Sequence, residues 1–463
     1  MTPIPQPKGY PIVGNLFEID TENPWGSFNR LALEHEYWPI FKVKLLDKEL
    51  VFITGAALVE EVCDEARFRK FISTPIAEYR HAVHCGLFTA YEEEMDDRGI
   101  AYRIMKPLVS MQAVTEVYSD MQKTISYLIK KWIAGSGTVD VTNDLDRLNH
   151  ATAMLCFFNQ DIDCVNGPEP PVIHSLEAST HEATRRASRP KLLTTLFHQK
   201  TYDDYIKTMR DYSAAIIARR KAYPTDKTDM LNALMNGKDP QSGNSLNESQ
   251  IQDEIIECFI GTTTAPNLIS FALYYLVKNP DALRRARQEI DSVVKSSESV
   301  GQEHLAHFPY CKAIIDESFR LSGTAPGFNL EPRPEDKGPV LLAGEYEIPR
   351  NQALIVLLAA VGRDPAVFQD PEVFRPERML GDRLDQLPAG IKKWFGNGRR
   401  ECIGKHYAYR WVLMTLVNIL KDVEFELEDS SYVMSNDGIN FNGAFSVKPQ
   451  EFFLVTGPRH QSG

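Results

Sequence analysis

Trp394-Phe395-Gly396-Asn397-Gly398-Arg399-Arg400-Glu401-Cys402-Ile403-Gly404 places a single cysteine in a glycine-rich, cationic turn. Glycines at 396 and 398 let the backbone reverse sharply and bring N–H groups toward the sulfur, while Arg399 and Arg400 supply positive charge for an anionic ligand. Beyond the cysteine, His406, Tyr407, Ala408, Trp411, Val412, Thr415 and Leu416 recur at helical spacing. The sulfur is therefore expected at a helix N-terminus, where the helix dipole and N–H donors favour a thiolate. A lone cysteine without such neighbours is ordinarily a buried small hydrophobe.

The chain around this turn has 463 residues, with no repeat and no low-complexity linker, so a single domain spanning 1–463 is expected. Its net charge is −12, from 51 basic and 63 acidic side chains, and no dense Lys/Arg stripe interrupts it. That balance argues against nucleic acid as a partner. Seven cysteines, an odd number without paired spacing, suit a reducing compartment. The start, Met1-Thr-Pro-Ile-Pro-Gln-Pro-Lys-Gly-Tyr-Pro, lacks an apolar run long enough for a signal peptide or a membrane span, so a cytoplasmic protein is expected.

Taken in order, the chain reads as mainly α with small β-sheets. Trp38 to Thr54 alternates in two short runs about Asp47-Lys48-Glu49, the pattern of a β-hairpin. A helix is expected over 56–68, loop from there to Phe88, and two helices between Tyr91 and Lys131, divided near Pro107 and Ser110. A short strand at 138–142 precedes a buried helix at 145–158, and helices come next near 173–187, 202–222, 228–236, 280–295 and 310–321. Short strands near 339–358 and 425–455 are expected to close a small sheet. The longest helical pattern, Ser249 to Lys278, is apolar on nearly every face and must cross an interior. Its middle, Gly261-Thr262-Thr263-Thr264-Ala265-Pro266, is a poor helix interior, which predicts a kink and, at the kink, a site.

Phe-Gly-Asn-Gly-x-Arg-x-Cys-Ile-Gly resembles the haem-ligand loop of the cytochrome P450 family, whose cysteine thiolate is the proximal iron ligand. Glu317-Ser-Phe-Arg320 and Phe374-Arg-Pro-Glu-Arg378, in that order before it, resemble the family's Glu-x-x-Arg and Pro-Glu-Arg elements. Asp64-Glu-Ala-Arg-Phe, Gly86-Leu-Phe-Thr, Asn236-Gly-Lys-Asp-Pro and Ser270-Phe-Ala-Leu-Tyr-Tyr-Leu-Val-Lys-Asn-Pro are similar to the haem domain of self-sufficient fatty-acid hydroxylases, in which that domain is fused to a diflavin reductase. The resemblance covers essentially the whole chain and is weakest over about 90–230. It implies the cytochrome P450 fold.

Carried over residue by residue, the resemblance makes Cys402 the ligand of haem b (iron protoporphyrin IX) and puts Phe395 beside the sulfur. Arg400 and Lys70 would meet haem propionates. Arg98 and Tyr102 stand where the family usually has a Trp, offering a cation and a hydroxyl. Glu317, Arg320 and Arg378 would form a buried structural network. Thr264 keeps the hydroxyl of the family's oxygen-activating pair, whereas Thr263 replaces the acid and Ile260 replaces a small residue facing the haem. Phe88 matches an aromatic over the haem edge, and Lys48 and Phe52 match positions that hold a carboxylate at a channel mouth, although Phe52 has no hydroxyl. With Phe445 and Ile260 the pocket should be apolar and narrow.

The activity implied by the resemblance is that of a monooxygenase acting on an apolar, fatty-acid-like or polyketide-like substrate. FAD, FMN and NADPH would enter through a fused or separate reductase. Because threonine does not ionise near neutrality, an isomerase, dehydratase or peroxide-dependent enzyme is the alternative, with a non-catalytic haem-binding protein as a third.

Overall fold

Strands Ile40–Leu45 and Lys48–Ile53 form the expected hairpin, antiparallel from Ile40 opposite Ile53 to Leu45 opposite Lys48. The computed structural model describes every residue except 35–36, 47, 136, 187–188, 296, 336–337, 436 and 461–463, so Asp47 at the hairpin tip lies outside the described residues. Alternation along these strands feeds two cores. Ile40, Val51 and Ile53 pack with Val59, Phe68 and Val356, while Phe41, Val43 and Phe52 pack with Phe28, Leu31 and Leu357. The chain divides into two compact units, and this hairpin belongs to the first, Met1–Ser73 with Lys312–Cys402 and Val433–Gln450.

In that unit the hairpin continues into a five-stranded sheet. Lys48–Ile53 pairs in parallel with Leu354–Leu357, which pairs antiparallel with Gly327–Pro332 and, beyond it, Phe68–Lys70. Two separate hairpins, Val340–Leu342 with Tyr346–Ile348 and Phe441–Gly443 with Val447–Pro449, complete its strands. The expected helix over 56–68 ends at Val62, because Phe68 is drawn into the sheet opposite Pro332.

The second unit is Thr74–Cys311 with Ile403–Tyr432 and Glu451–Gly463. Thr74–Val83 is a helix where loop was expected, burying Ile76, Tyr79 and Val83 along one face. Three helices, Met95–Met105, Met111–Glu116 and Tyr118–Ala134, replace the two expected before Lys131, because Ser110 caps a short middle helix through its side chain. Buried polar bonds join the central helices. Trp132 Nε1 donates to Asp144 at 2.8 Å, and Trp411 Nε1 to Thr152 Oγ1 at 3.2 Å. Strands Val423–Leu427 and Phe453–Pro458 do not join those near 339–358. Phe453–Pro458 pairs instead with Val423–Leu427 on one side and Gly137–Asp140 on the other, in a sheet of their own.

The long apolar pattern forms two helices, Glu248–Thr262 and Thr264–Lys278, meeting at Thr263. Asn247 and Gln250 close a reciprocal cap at its start. Pro266 falls in the first turn of the second helix, where a missing N–H costs nothing. This stretch is long and apolar enough to cross a membrane by length and composition, yet its apolar window is mostly buried inside the protein.

Nearby, Arg220 donates to both oxygens of Asp229, and to Phe158 O at 2.9 Å, with both charged groups buried. Arg220→Ala leaves the Asp229 charge buried and unpaired, which is expected to cost about 3–5 kcal/mol, read as a lower urea midpoint against wild type.

Candidate active site

Cys402 sits at the end of a closed loop. Its N–H donates to Phe395 O at 2.8 Å, and inside this ring Arg400 N bonds Asn397 O at 3.2 Å and Glu401 N bonds Gly398 O at 3.0 Å. The turn needs its glycines, since Gly396 and Gly398 have φ of +80° and +53°. A side chain at 398 would also collide with the Glu65 carboxylate, which accepts from Arg399 N at 2.9 Å. Asn397 Nδ2 anchors the loop to Cys63 O at 2.6 Å. The cysteine itself is exposed, and the helix Lys405–Asp422 begins three residues after it.

Leading into that loop, Glu317, Arg320 and Arg378 come together. Arg320 and Glu317 are fully buried and bond twice, Nε to Oε2 and Nη2 to Oε1, each at 2.7 Å. The remaining Arg320 N–H groups donate to the carbonyls of Gly362, Pro371 and Val373. Arg378 Nε stands 3.6 Å from Glu317, and its other nitrogens donate to Gln369 O and Asp370 O. Burial, reinforced by the Arg320 charge, lowers the Arg378 pKa from its ordinary value. Sequence reasoning missed Phe319. Its ring stacks on Trp394 at 5.3 Å and meets Phe395 edge-on at 5.4 Å, tying the Glu317–Arg320 helix to the cysteine loop. The available signal was an aromatic between the paired Glu and Arg, followed later by Trp-Phe before the glycines.

In the second unit the three threonines differ. Thr262 Oγ1 donates to Phe259 O and accepts from Asn149, and Thr263 Oγ1 donates to Ile260 O at 2.8 Å. Thr264 makes no side-chain hydrogen bond among the described residues, which leaves its hydroxyl for a ligand. One turn back, Gly261 has open space where a side chain would stand. Ile260, Gly261 and Thr264 thus line an accessible stripe at the helix break.

Phe88 is a partly exposed ring on the 86–89 loop. Arg98 is buried, donating from Nε to Leu87 O at 2.9 Å, and its guanidinium stands 5.2 Å from the Tyr102 ring. Burial lowers its pKa, against the opposing pull of Glu254 and Glu257, and it forms no salt bridge with a described residue. Lys70 ends the strand Phe68–Lys70, half-buried, and Phe445 stands half-buried in the turn between Phe441–Gly443 and Val447–Pro449. Lys48 is exposed at the hairpin start. Phe52 does not stand at a mouth. It is fully buried, 4.8 Å from the stacked ring of Phe41 and 4.5 Å from Phe28, because its strand turns that face to the core.

The family model described as cytochrome P450 matches residues 4–455. The chain belongs to the cytochrome P450 family. It is 33% identical over 463 residues to the self-sufficient cytochrome P450 monooxygenase CYP505E3 of Phanerodontia chrysosporium, covering 98% of this chain and 43% of that one. With a bifunctional cytochrome P450/NADPH–P450 reductase of Aspergillus oryzae it shares 33% over 464 residues, covering 98% and 41%. The bifunctional enzyme of Acremonium egyptiacum is 33% identical over 470 residues, covering 97% and 43%. This P450 chain therefore spans less than half the length of these curated relatives.

Haem, the cofactor of the P450 family, fits the residues present on two counts. In the first unit an exposed sulfur stands on a closed loop; in the second, the buried Arg98 guanidinium forms no salt bridge with a described residue and could take a carboxylate. Glu317→Gln removes the charge that both arginines face. It is expected to cost about 3–5 kcal/mol, measured as a fall in thermal midpoint together with lower haem content per chain.

Proposed function

We propose that residues 1–463 act as one haem domain of a haem-thiolate monooxygenase, inserting one atom of dioxygen into an apolar, fatty-acid-like or polyketide-like substrate. Electrons would come from an NADPH-dependent diflavin reductase carrying FAD and FMN, fused or separate; two relatives are named as bifunctional cytochrome P450/NADPH–P450 reductases. The observation that carries this reading is the exposed Cys402 thiol on its closed cationic loop. Haem ligated by that thiolate supplies the activation of dioxygen.

The chain's own residues then divide the work. Cys402 Sγ would hold the haem iron, with Phe395 assigned beside it. Arg400, Lys70, Arg98 and Tyr102 are assigned to the haem carboxylates. Thr264 presents the one hydroxyl of its triplet not engaged with its own helix or with Asn149, and would hold a proton at the reacting oxygen. Phe88, Ile260 and Phe445 are the apolar contacts, and Lys48 is an exposed cation for a substrate carboxylate. Phe52 supports the strand from the core. A cytoplasmic location belongs to this proposal.

One observation favours a second reading. Position 263 carries no ionisable group, and its hydroxyl is turned to Ile260 O. An isomerase, dehydratase or peroxide-driven reaction needs no proton delivery from an acid there.

Cys402→Ser is expected to abolish the thiolate-type carbon-monoxide difference band of the reduced protein; a retained band would rule Cys402 out as ligand. With NADPH and a diflavin reductase, dodecanoic acid should gain the mass of one oxygen atom, and Thr264→Ala should divert roughly tenfold more electrons to peroxide. Turnover that proceeds without NADPH or reductase would instead establish the second reading.

A further inference from the structure

Three acids within five residues of the Glu248–Thr262 helix are buried, and all of them face the 84–89 segment. Glu257 accepts from Phe88 N at 2.7 Å, from Thr89 N at 3.3 Å and from Thr89 Oγ1 at 3.1 Å. Oε2 thus meets the Phe88 N–H and Oε1 the Thr89 N–H, one oxygen to each of two consecutive amides. Glu254 accepts from the Leu87 N–H, and Leu87 O in turn accepts from Arg98 Nε at 2.9 Å. Asp253 bonds Arg210, and His84 Nδ1 lies 3.2 Å from both of its oxygens. The loop is shaped for this contact: a Cβ at Gly86 would stand 2.4 Å from the Glu257 carboxylate.

Apolar packing would hold a loop here without the desolvation that buried acids cost. What acids add is direction. Hydrogen bonds to consecutive N–H groups fix the backbone at one residue, and that residue is Phe88. Glu257 lies one turn before Ile260 on the same helix. Burial, then the Glu257 charge, raises the Glu254 pKa well above its ordinary value, while the Arg98 charge pulls it back.

We propose that Glu257, assisted by Glu254 and Arg98, is a specificity-determining positioning residue: it clamps the main chain at Phe88 to the helix bearing Ile260, next to the break at which Thr264 begins the following helix, and so sets how closely a ligand can approach the haem. The clamp stands on the contacts alone; its effect on ligands rests on the haem-thiolate reading.

Two readouts on the haem-loaded protein test it, using Glu257→Ala, Glu257→Gln and Gly86→Ala, the last of which pushes a methyl group at the carboxylate without removing it. Hydrogen exchange at the Phe88 and Thr89 amides should quicken about tenfold or more in Glu257→Ala and Gly86→Ala, with the 264–278 helix unchanged and Glu257→Gln intermediate. The ratio of dissociation constants for 4-phenylimidazole and imidazole, two iron ligands differing by one ring, should shift in the same order across the variants. Unchanged exchange at 88 and 89 would overturn the clamp, and faster exchange with an unchanged ratio would overturn its role in specificity. Exchange is measured on the chain whether or not iron is bound, so a wild type lacking the thiolate-type spectrum would sink the haem reading while the clamp was still decided.

Discussion

A guanidinium removed from water is tolerated only when each of its N–H groups is met, and Arg320 meets that condition with five hydrogen bonds. Two go to Glu317 one turn earlier on its helix, and three go to the carbonyls of Gly362, Pro371 and Val373. Those carbonyls belong to irregular chain, which has no ladder of its own to satisfy them. The arginine therefore acts as a fixed frame on which the segment leading to the cysteine loop is laid. Glu317 extends the frame by accepting from Arg375 N at 2.8 Å and by facing Arg378. Phe319, on the same helix, adds the aromatic contact to Trp394 and Phe395, so one turn of helix orients both the approach to the loop and the loop itself.

The other unit applies a different constraint. Glu248–Thr262 and Thr264–Lys278 cannot run as one helix through a Gly-Thr-Thr-Thr-Ala-Pro sequence, and the break at Thr263 opens a stripe of Ile260, Gly261 and Thr264. Thr262 and Thr263 turn their hydroxyls to the carbonyls of the turn before, which caps the first helix at the expense of any ligand there. The acids of this helix, Glu257 and Glu254, lie six and nine residues before Thr263 and are directed at backbone amides rather than at the break. The helix thus has no ionisable group at the break and carries buried carboxylates that hold a neighbouring loop.

Much of this was legible in the chain. The Cys402 loop, the Glu317–Arg320 pair, the Lys48 hairpin and the kink at 261–266 could be read because each depends on local sequence: glycines for positive φ, an i, i+3 pairing, two-residue alternation, and a proline with β-branched neighbours in a helix. Errors fell where non-local partners decide. Phe68 looks helical by spacing but enters a strand because Gly327–Pro332 offers it an edge. The strand near 455 pairs with the one near 425 and with Gly137–Asp140, far earlier in the chain, a choice that no local pattern encodes. Phe52 looked available to a substrate until its face of the hairpin proved to be packed on Phe28 and Phe41.

By itself, then, the sequence determined the family, the glycine-rich cysteine loop and the residues of the buried charge network, since these are written as short motifs whose chemistry is complete within a few residues. Only the tertiary structure decided which of three adjacent threonines makes no side-chain hydrogen bond to a described residue, that Phe319 couples network to loop, and that Glu254 and Glu257 face the Phe88 backbone. An acid in an apolar helical pattern reads as a mispositioned surface residue until its partners are known. Those partners lie about 170 residues away, and the desolvation that makes their pairing matter exists only once the chain has folded.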